Sequence, residues 1–302
     1  MKFETLAIRL QNLQTHEREH STPLFPSSSF VFDDAEQMRA IFADELPGNI
    51  YSRFTNPNTR ELELKMAALE GIDDAVATAS GMAAVFYSII ALLETGDHLI
   101  SSRSVFGSTA TIFSQYLPKL GINVSLVDPN DPDSWKQAVR PTSKMFFLES
   151  PSNPGLDIID LQVARSFCDE HGLLLNVDNC FATPYLQQPA AWGADLITHS
   201  ATKYIDGQGR VVGGIIAGKQ QYITEIQKMC RSTGPALSPF NAWILSKSLE
   251  TLAIRMDRHC ANAEKVTSFL LKHQQAINVR YPFDASHPGV EIAKRQMTQG
   301  GG

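Results

Sequence analysis

Lys203 lies in the run His199-Ser200-Ala201-Thr202-Lys203, directly after the apolar segment Leu196–His199 and before a Gly-rich stretch. An amine in that position is a nucleophile for carbonyl carbon, and a hydrophobic or cationic site that lowers its pKa lets it form a Schiff base. Asp178 follows the apolar run Leu173–Val177. A carboxylate there can face a heterocyclic nitrogen and keep it protonated. Ser80-Gly81-Met82 follows Ala75–Ala79 and opens a helical pattern, and backbone N–H groups at a helix start suit an anion such as phosphate. Ser200 and Thr202 add hydroxyls, Phe106 an aromatic face after His98–Ser102, and Glu149 and Asn153 follow Lys144–Leu148.

Each residue alone has an ordinary reading. Lys203 could be a solvated surface lysine, Asp178 a strand-end cap, Ser80-Gly81 a plain turn and Phe106 a core residue. Their conjunction is what carries weight, because ligands of open α/β sheets gather at the carboxyl ends of the strands. An amine, a carboxylate, an aromatic, two hydroxyls and a Gly turn would then face one crevice. Those are the groups that pyridoxal phosphate requires.

The elements that must position them alternate. Helical patterns at Arg60–Glu70, Met82–Glu94, Thr109–Leu120, Asp133–Val139 and Leu161–His171 interleave with short apolar runs. The runs are Ala75–Ala79, His98–Ser102, Asn123–Val127, Lys144–Leu148, Leu173–Val177, Leu196–His199 and Val211–Ala217. Short, continuously apolar strands between helices predict a mostly parallel seven-stranded α/β sheet covered on both faces. Residues 1–48 read as an irregular arm with a short helix at Asp34–Ala43, of the kind that packs on a neighbouring subunit. Residues 49–238 read as the cofactor-binding domain, and 239–302 as a linker helix and the start of a second domain.

Composition narrows the function classes. The 302 residues are 43% hydrophobic and 19% charged, with a formal net charge of -6 and no basic run suited to nucleic acid. The longest apolar stretch, Ala83–Leu93, falls short of the roughly 18 to 20 residues of a membrane span. The first residues lack a signal-peptide pattern, so a cytoplasmic location is expected. Cys168, Cys180, Cys230 and Cys260 are widely spaced, which predicts neither a disulfide framework nor a metal site. Gly207, Gly209 and Gly213 form G-x-G-x-x-x-G, without the strand–turn–helix context of a dinucleotide site.

The segment Asp195-Leu196-Ile197-Thr198-His199-Ser200-Ala201-Thr202-Lys203-Tyr204-Ile205-Asp206-Gly207-Gln208-Gly209 resembles the signature of the Cys/Met-metabolism pyridoxal-phosphate enzymes, the cystathionine γ-synthase-like family. The likeness also takes in Tyr51-Ser52-Arg53, Ser80-Gly81-Met82, Glu149-Ser150-Pro151-Ser152-Asn153-Pro154 and Val177-Asp178-Asn179. It implies an aspartate aminotransferase-like transferase of fold type I, with Lys203 as Schiff-base lysine and proton shuttle and Asp178 on the pyridine nitrogen. Ser80, Gly81, Met82, Ser200 and Thr202 would hold the phosphate, with Phe106 and Asn153 also on the cofactor. Tyr51 and Arg53 would bind the phosphate of an adjacent subunit, within tetramers built of tight dimers. The resemblance further implies a smaller C-terminal α/β domain beyond residue 302, supplying an arginine for the substrate carboxylate. The details are nearest to the branch acting on O-succinylhomoserine and sulfide, since other branches carry Tyr at Phe106 and Thr at Cys180. A second departure, Asn58 where many relatives carry Thr, reads as a change in a helix cap. A non-catalytic chain of this fold is disfavoured, because Lys203, Asp178, Tyr51 and Arg53 are all present.

Overall fold

A computed structural model describes residues 1–302. Two short helices, α1 (Phe3–Arg9) and α2 (Ala35–Phe42), precede the alternating part. That part runs α3 (Pro57–Glu70), β1 (Asp74–Thr78), α4 (Gly81–Ile90), β2 (His98–Ser102), α5 (Gly107–Thr111) and β3 (Asn123–Val127). It continues through α6 (Pro132–Ala138), β4 (Ser143–Glu149), α7 (Leu161–His171), β5 (Leu174–Asp178), α8 (Thr183–Leu186), β6 (Leu196–Ser200) and β7 (Gly214–Gly218). Four helices follow: α9 (Gln220–Thr233), α10 (Pro239–Leu249), α11 (Leu252–Leu270) and α12 (Val290–Gln296). None of the helices is long and apolar enough to cross a membrane.

The expected seven-stranded sheet forms, in the order β1-β7-β6-β5-β4-β2-β3. Strands β2 to β6 pair in parallel, whereas β7 is antiparallel to both β1 and β6. Alternate residues of the strands point to opposite faces. They feed two apolar clusters, one including Ile100, Phe146, Leu148 and Val177, the other Leu99, Met145, Phe147 and Leu196. Burial on both faces is why β1, β2 and β7 are buried at every position; of the two edge strands, β1 and β3, only β3 is largely open.

Three local outcomes differ from the sequence reading. The helix expected over Thr109–Leu120 is α5 followed by a wide turn at Ile112–Tyr116 and a tight one at Leu117–Leu120. Pro118 has no N–H to continue an α-helix, so the regular ladder stops there. Helices α1, α8 and α9 are additional, and α9 buries Ile223, Ile226 and Cys230 along one face. Asn58 does not cap α3. Asn56 does, accepting from the Asn58 N–H, while the Asn58 side chain accepts from the Phe25 N–H and donates to the Pro23 carbonyl. Asn58 therefore ties the N-terminal segment to the start of α3, as Trp243 does from α10 by donating to the Thr22 carbonyl. At the other end, the Gln296 amide joins α12 to the Ile159 carbonyl and Gln187, and its Oε1 accepts from the Leu161 N–H.

Under the α6–α7 face, Trp135, Phe146 and Phe167 pack ring on ring, with centroids 5.0, 5.7 and 5.3 Å apart. Phe146 is completely buried at the middle of β4. Phe146→Ala is expected to cost about 3–5 kcal/mol, measured by urea unfolding, because neighbouring rings cannot close the gap.

Candidate active site

The carboxyl ends of β4, β5 and β6 and the start of α4 surround one cavity of about 220 Å³. Its walls include Ser80, Gly81, Met82, Phe106, Asn153, Asp178, Ser200, Thr202 and Lys203. Nine of the eleven residues singled out in the sequence thus come together. A larger cleft of about 450 Å³ between α1 and α12 has none of this chemistry, being lined by Phe3, Leu6, Trp192 and their neighbours.

The anion end is built by α4. The Ser80 hydroxyl caps the helix by accepting from the Ala83 N–H at 3.1 Å. The amides of Gly81 and Met82, at the first two helical positions, have no carbonyl one turn earlier inside the helix. Gly81 is required for steric reasons: a Cβ there would lie 2.5 Å from the Ser200 Cβ and 2.7 Å from its Cα. The close approach sets the two free amides beside the Ser200 and Thr202 segment.

The amine end is a turn. The Lys203 N–H donates to the Ser200 carbonyl, and the Gly207 N–H to the Lys203 carbonyl. Thr202 fastens this turn to the strand side through the Gly213 N–H, 3.2 Å away. Arg255 of α11 clamps it from behind, donating to the Tyr204 carbonyl at 2.5 Å and the Ile205 carbonyl at 3.1 Å. Gly207 has φ +67°, and a Cβ on it would sit 2.0 Å from the Arg255 guanidinium. The glycines after Lys203 thus serve a lysine-bearing turn and precede a strand, not a helix. The Lys203 side chain is exposed and free of intrachain ion pairs, so its amine is available to a ligand.

The acid end is buried. Asp178 ends β5 opposite Glu149 of β4 in register. One Asp178 oxygen accepts from the Cys180 N–H at 3.0 Å. Burial raises the Asp178 carboxyl from its ordinary 3.8 to about 6, against the Cys180 N–H and His199, which favour its charge. Glu149 is 2% exposed and pushed up to about 8, by burial first and then by the facing Asp178 charge. Cys180 is buried, and burial together with the Asp178 charge pushes its thiol well up.

Tyr51 and Arg53 lie outside this cavity. The Arg53 guanidinium stacks over Phe54 at 4.8 Å and Tyr51 at 5.6 Å, donates to the Arg231 carbonyl and lines a separate small cleft. Wall residues not picked from the sequence as site residues are Glu149, Val85, Thr109, Cys180, Phe181 and Val212. The position of Glu149 after β4 was the available signal for it. Arg255, fifty residues from the turn it clamps, offered none.

The raised carboxyls make a pH prediction for the cofactor-free protein. A raised folded pKa means that the folded chain holds protons more tightly than the unfolded chain. The stabilisation is therefore complete below the unfolded values of 3.8 and 4.5, and is lost as pH rises through about 6 and about 8. Asp178→Asn removes one of these groups while its amide oxygen still accepts from Cys180. It is expected to leave stability similar at pH 4 and to raise it by about 1–3 kcal/mol at pH 8, by urea titration of the cofactor-free protein. A gain of equal size at both pH values refutes the charge argument.

Comparison with known proteins places this geometry. The Cys/Met metabolism PLP-dependent enzyme family matches residues 4–302. An O-succinylhomoserine sulfhydrylase of Pseudomonas aeruginosa is 48% identical over 296 residues, 98% of this chain and 73% of that protein. An L-methionine gamma-lyase of Porphyromonas gingivalis is 39% identical over 92% of this chain and 70% of its own length. The crystal structure of a putative O-acetylhomoserine (thiol)-lyase from Campylobacter jejuni carries N'-pyridoxyl-lysine-5'-monophosphate. It superposes with a TM-score of 0.95 at 32% identity, covering 98% of this chain and 82% of that one. With a fold-type-I sheet and a lysine, a carboxylate and a helix start converging at its strand ends, the chain belongs to the pyridoxal-phosphate-dependent enzymes of cysteine and methionine metabolism.

Proposed function

We propose that the chain catalyses γ-replacement on an activated homoserine, exchanging the succinate of O-succinylhomoserine for sulfide to give homocysteine in methionine biosynthesis. The observation that carries this reading is the wall composition. An unpaired amine at Lys203, a buried carboxylate at Asp178 and free helix-start amides share one cavity, while the aromatic at its mouth is Phe106, without a hydroxyl. The 48% identity to the Pseudomonas sulfhydrylase supports the donor and nucleophile.

The donor set suits pyridoxal phosphate. When bound, that cofactor draws electrons from the substrate carbons through its protonated ring. Asp178 holds the proton on the ring nitrogen, where the opposite charge also favours ionised Asp178. The Gly81 and Met82 amides and the Ser200 and Thr202 hydroxyls bind the phosphate. Phe106 and Asn153 line the cavity and would flank the ring, with Phe106 keeping water from its face. Lys203 would hold the cofactor through its Nζ, and the free amine would serve as the general base that takes and returns protons along the substrate carbon chain, poised there by position. Phe106 donates no proton to the departing group. Succinate leaves as a stable carboxylate and needs none, whereas a departing thiolate is helped by one. That difference favours replacement of an ester over elimination of a thiol.

Tyr51 and Arg53 do not line their own cavity, and in this reading they complete the phosphate site of a second copy. Arg is suited to that contact by its bidentate fork. The working unit is then at least a dimer, with a dimer of dimers as the expected assembly. Residues 1–48 are assigned as its arm, 49–238 as the cofactor domain and 239–302 as the linker region.

Purified protein reconstituted with pyridoxal phosphate is expected to absorb near about 420 nm, as a lysine-bound form of this cofactor does, and to form homocysteine from O-succinylhomoserine and sulfide. Lys203→Ala is expected to abolish both, and an unchanged visible spectrum in that variant sinks the assignment. Faster turnover with O-acetylhomoserine, or cystathionine formed when cysteine replaces sulfide, moves the activity to a sister branch. Methanethiol released from methionine as the main reaction overturns replacement altogether. Arg53→Ala is expected to weaken cofactor binding about tenfold by equilibrium titration, given the strength of charged hydrogen bonds. Unchanged affinity rejects the cross-subunit role.

A further inference from the structure

Glu149 is the one charged wall residue with no part in the reaction just described. It ends β4 beside Asp178 and is almost completely buried. Both of its oxygens are used, and each is used by a different loop. Oε2 accepts from the Phe106 N–H at 2.7 Å, and Oε1 from the Asn153 N–H at 2.9 Å. Phe106 is the N-terminal flank of α5 and has no side-chain cap of its own. Asn153 stands four residues beyond Glu149, in the loop that leaves β4. Neither loop has a regular ladder to hold it at that point, so the carboxylate bridges two otherwise independent segments.

We infer that Glu149 is a positioning residue: its two carboxylate oxygens fix the Phe106 and Asn153 loops against each other, and so set the width and tilt of the slot that receives the cofactor ring. The inference rests on the proposed placement of Phe106 and Asn153 around that ring. Two features make the carboxylate suited to the task. In its ionised form, which the two amides favour against the burial that raises the group to about 8, two oxygens satisfy two amides without any donor, whereas an amide side chain would set its own NH₂ against one of them. A buried carboxylate is also held rigidly, because it cannot leave its two donors without losing hydrogen bonds that no water replaces. Glu149 touches neither end of the proposed chemistry, so it acts through the loops.

The test is Glu149→Gln in the reconstituted protein and in its cofactor-free form. The expected result is a visible band like that of the unsubstituted protein, since Lys203 is intact, with altered circular dichroism in that band. Cofactor binding is expected to be about tenfold weaker, and kcat to fall more than KM rises. In the cofactor-free form the Phe106 and Asn153 amides are expected to exchange faster with solvent. Phe106→Ala keeps the amide and removes the ring, so in a double-mutant cycle its effect on the dichroism should be less than additive with Glu149→Gln. Full additivity, or unchanged dichroism and affinity in Glu149→Gln, overturns the inference and leaves the cofactor reading standing. Absence of a visible band in the unsubstituted protein overturns the cofactor reading and the inference together. Should Glu149→Gln fail to fold, Glu149→Asp retains the charge but shortens the reach, and the same cycle decides with it.

Discussion

The whole site hangs on how near the start of α4 comes to the end of β6. These two segments are far apart in the sheet's logic, because β1, which feeds α4, is separated from β6 by β7. Helix α4 lies across β6 and β7, and its first turn stops against Ser200. Only a residue without Cβ can occupy position 81 at that separation. The consequence is chemical as well as steric. Helix-start amides that would otherwise face water are aimed at the same space as the Ser200 hydroxyl, three residues before Lys203. The antiparallel β7 makes this possible: it inserts between β1 and β6 and leaves β1 pointing the same way as the parallel strands. All the functional ends therefore open on one side.

A second constraint is charge. At the strand ends Glu149 and Asp178 face one another on one side of the sheet, while Glu70 and His199 form a fully buried pair 2.6 Å apart on the other. Glu70 also accepts from the Asn179 side chain, immediately after Asp178, so the two layers are linked through one residue step. Burying carboxylates is costly unless their lone pairs are filled. Here Glu149 accepts from two backbone N–H groups and Asp178 from one, and Glu70 Oε1 accepts from His199 and the Asn179 side chain while Glu70 Oε2 has no partner. That fixed polarity is the property expected of a preorganised site.

Much of this was readable from the residues alone. Continuous apolar runs announced β1 to β6 to within a residue or two, because strands buried on both faces leave an unbroken hydrophobic trace. The rule that ligands gather at strand carboxyl ends then brought nine wall residues into one place before any coordinates. What stayed hidden was either short-range or long-range physics. The break of the helix at Pro118 depends on how the ladder re-forms around a missing donor, which periodicity does not reveal. Asn58 looked like a cap because its type is right, yet Asn56, two residues earlier, has the extended backbone that capping needs. Arg255 clamps the lysine turn across fifty residues, and no local pattern encodes that contact. The direction of β7 was equally invisible, since an apolar run reads the same in both directions.

The cavity holds two candidate nucleophiles, and their surroundings separate them. Cys180 is the softer and, as a thiolate, the stronger. Its environment opposes ionisation: burial is the largest effect, and the neighbouring Asp178 and Glu149 charges add to it. Reactive cysteines sit instead in exposed, electropositive places. Lys203 has the opposite setting, on an exposed turn held rigid by Arg255 and Thr202, with no carboxylate paired to its amine. A salt bridge there would hold the amine as an ammonium ion and divert it from a carbonyl. The same two carboxylates that oppose ionisation of the thiol make no ion pair with the lysine, because their oxygens accept instead from the Phe106, Asn153 and Cys180 amides. The distribution of negative charge along the strand ends thus agrees with the amine, not the thiol, as the nucleophile of the cavity.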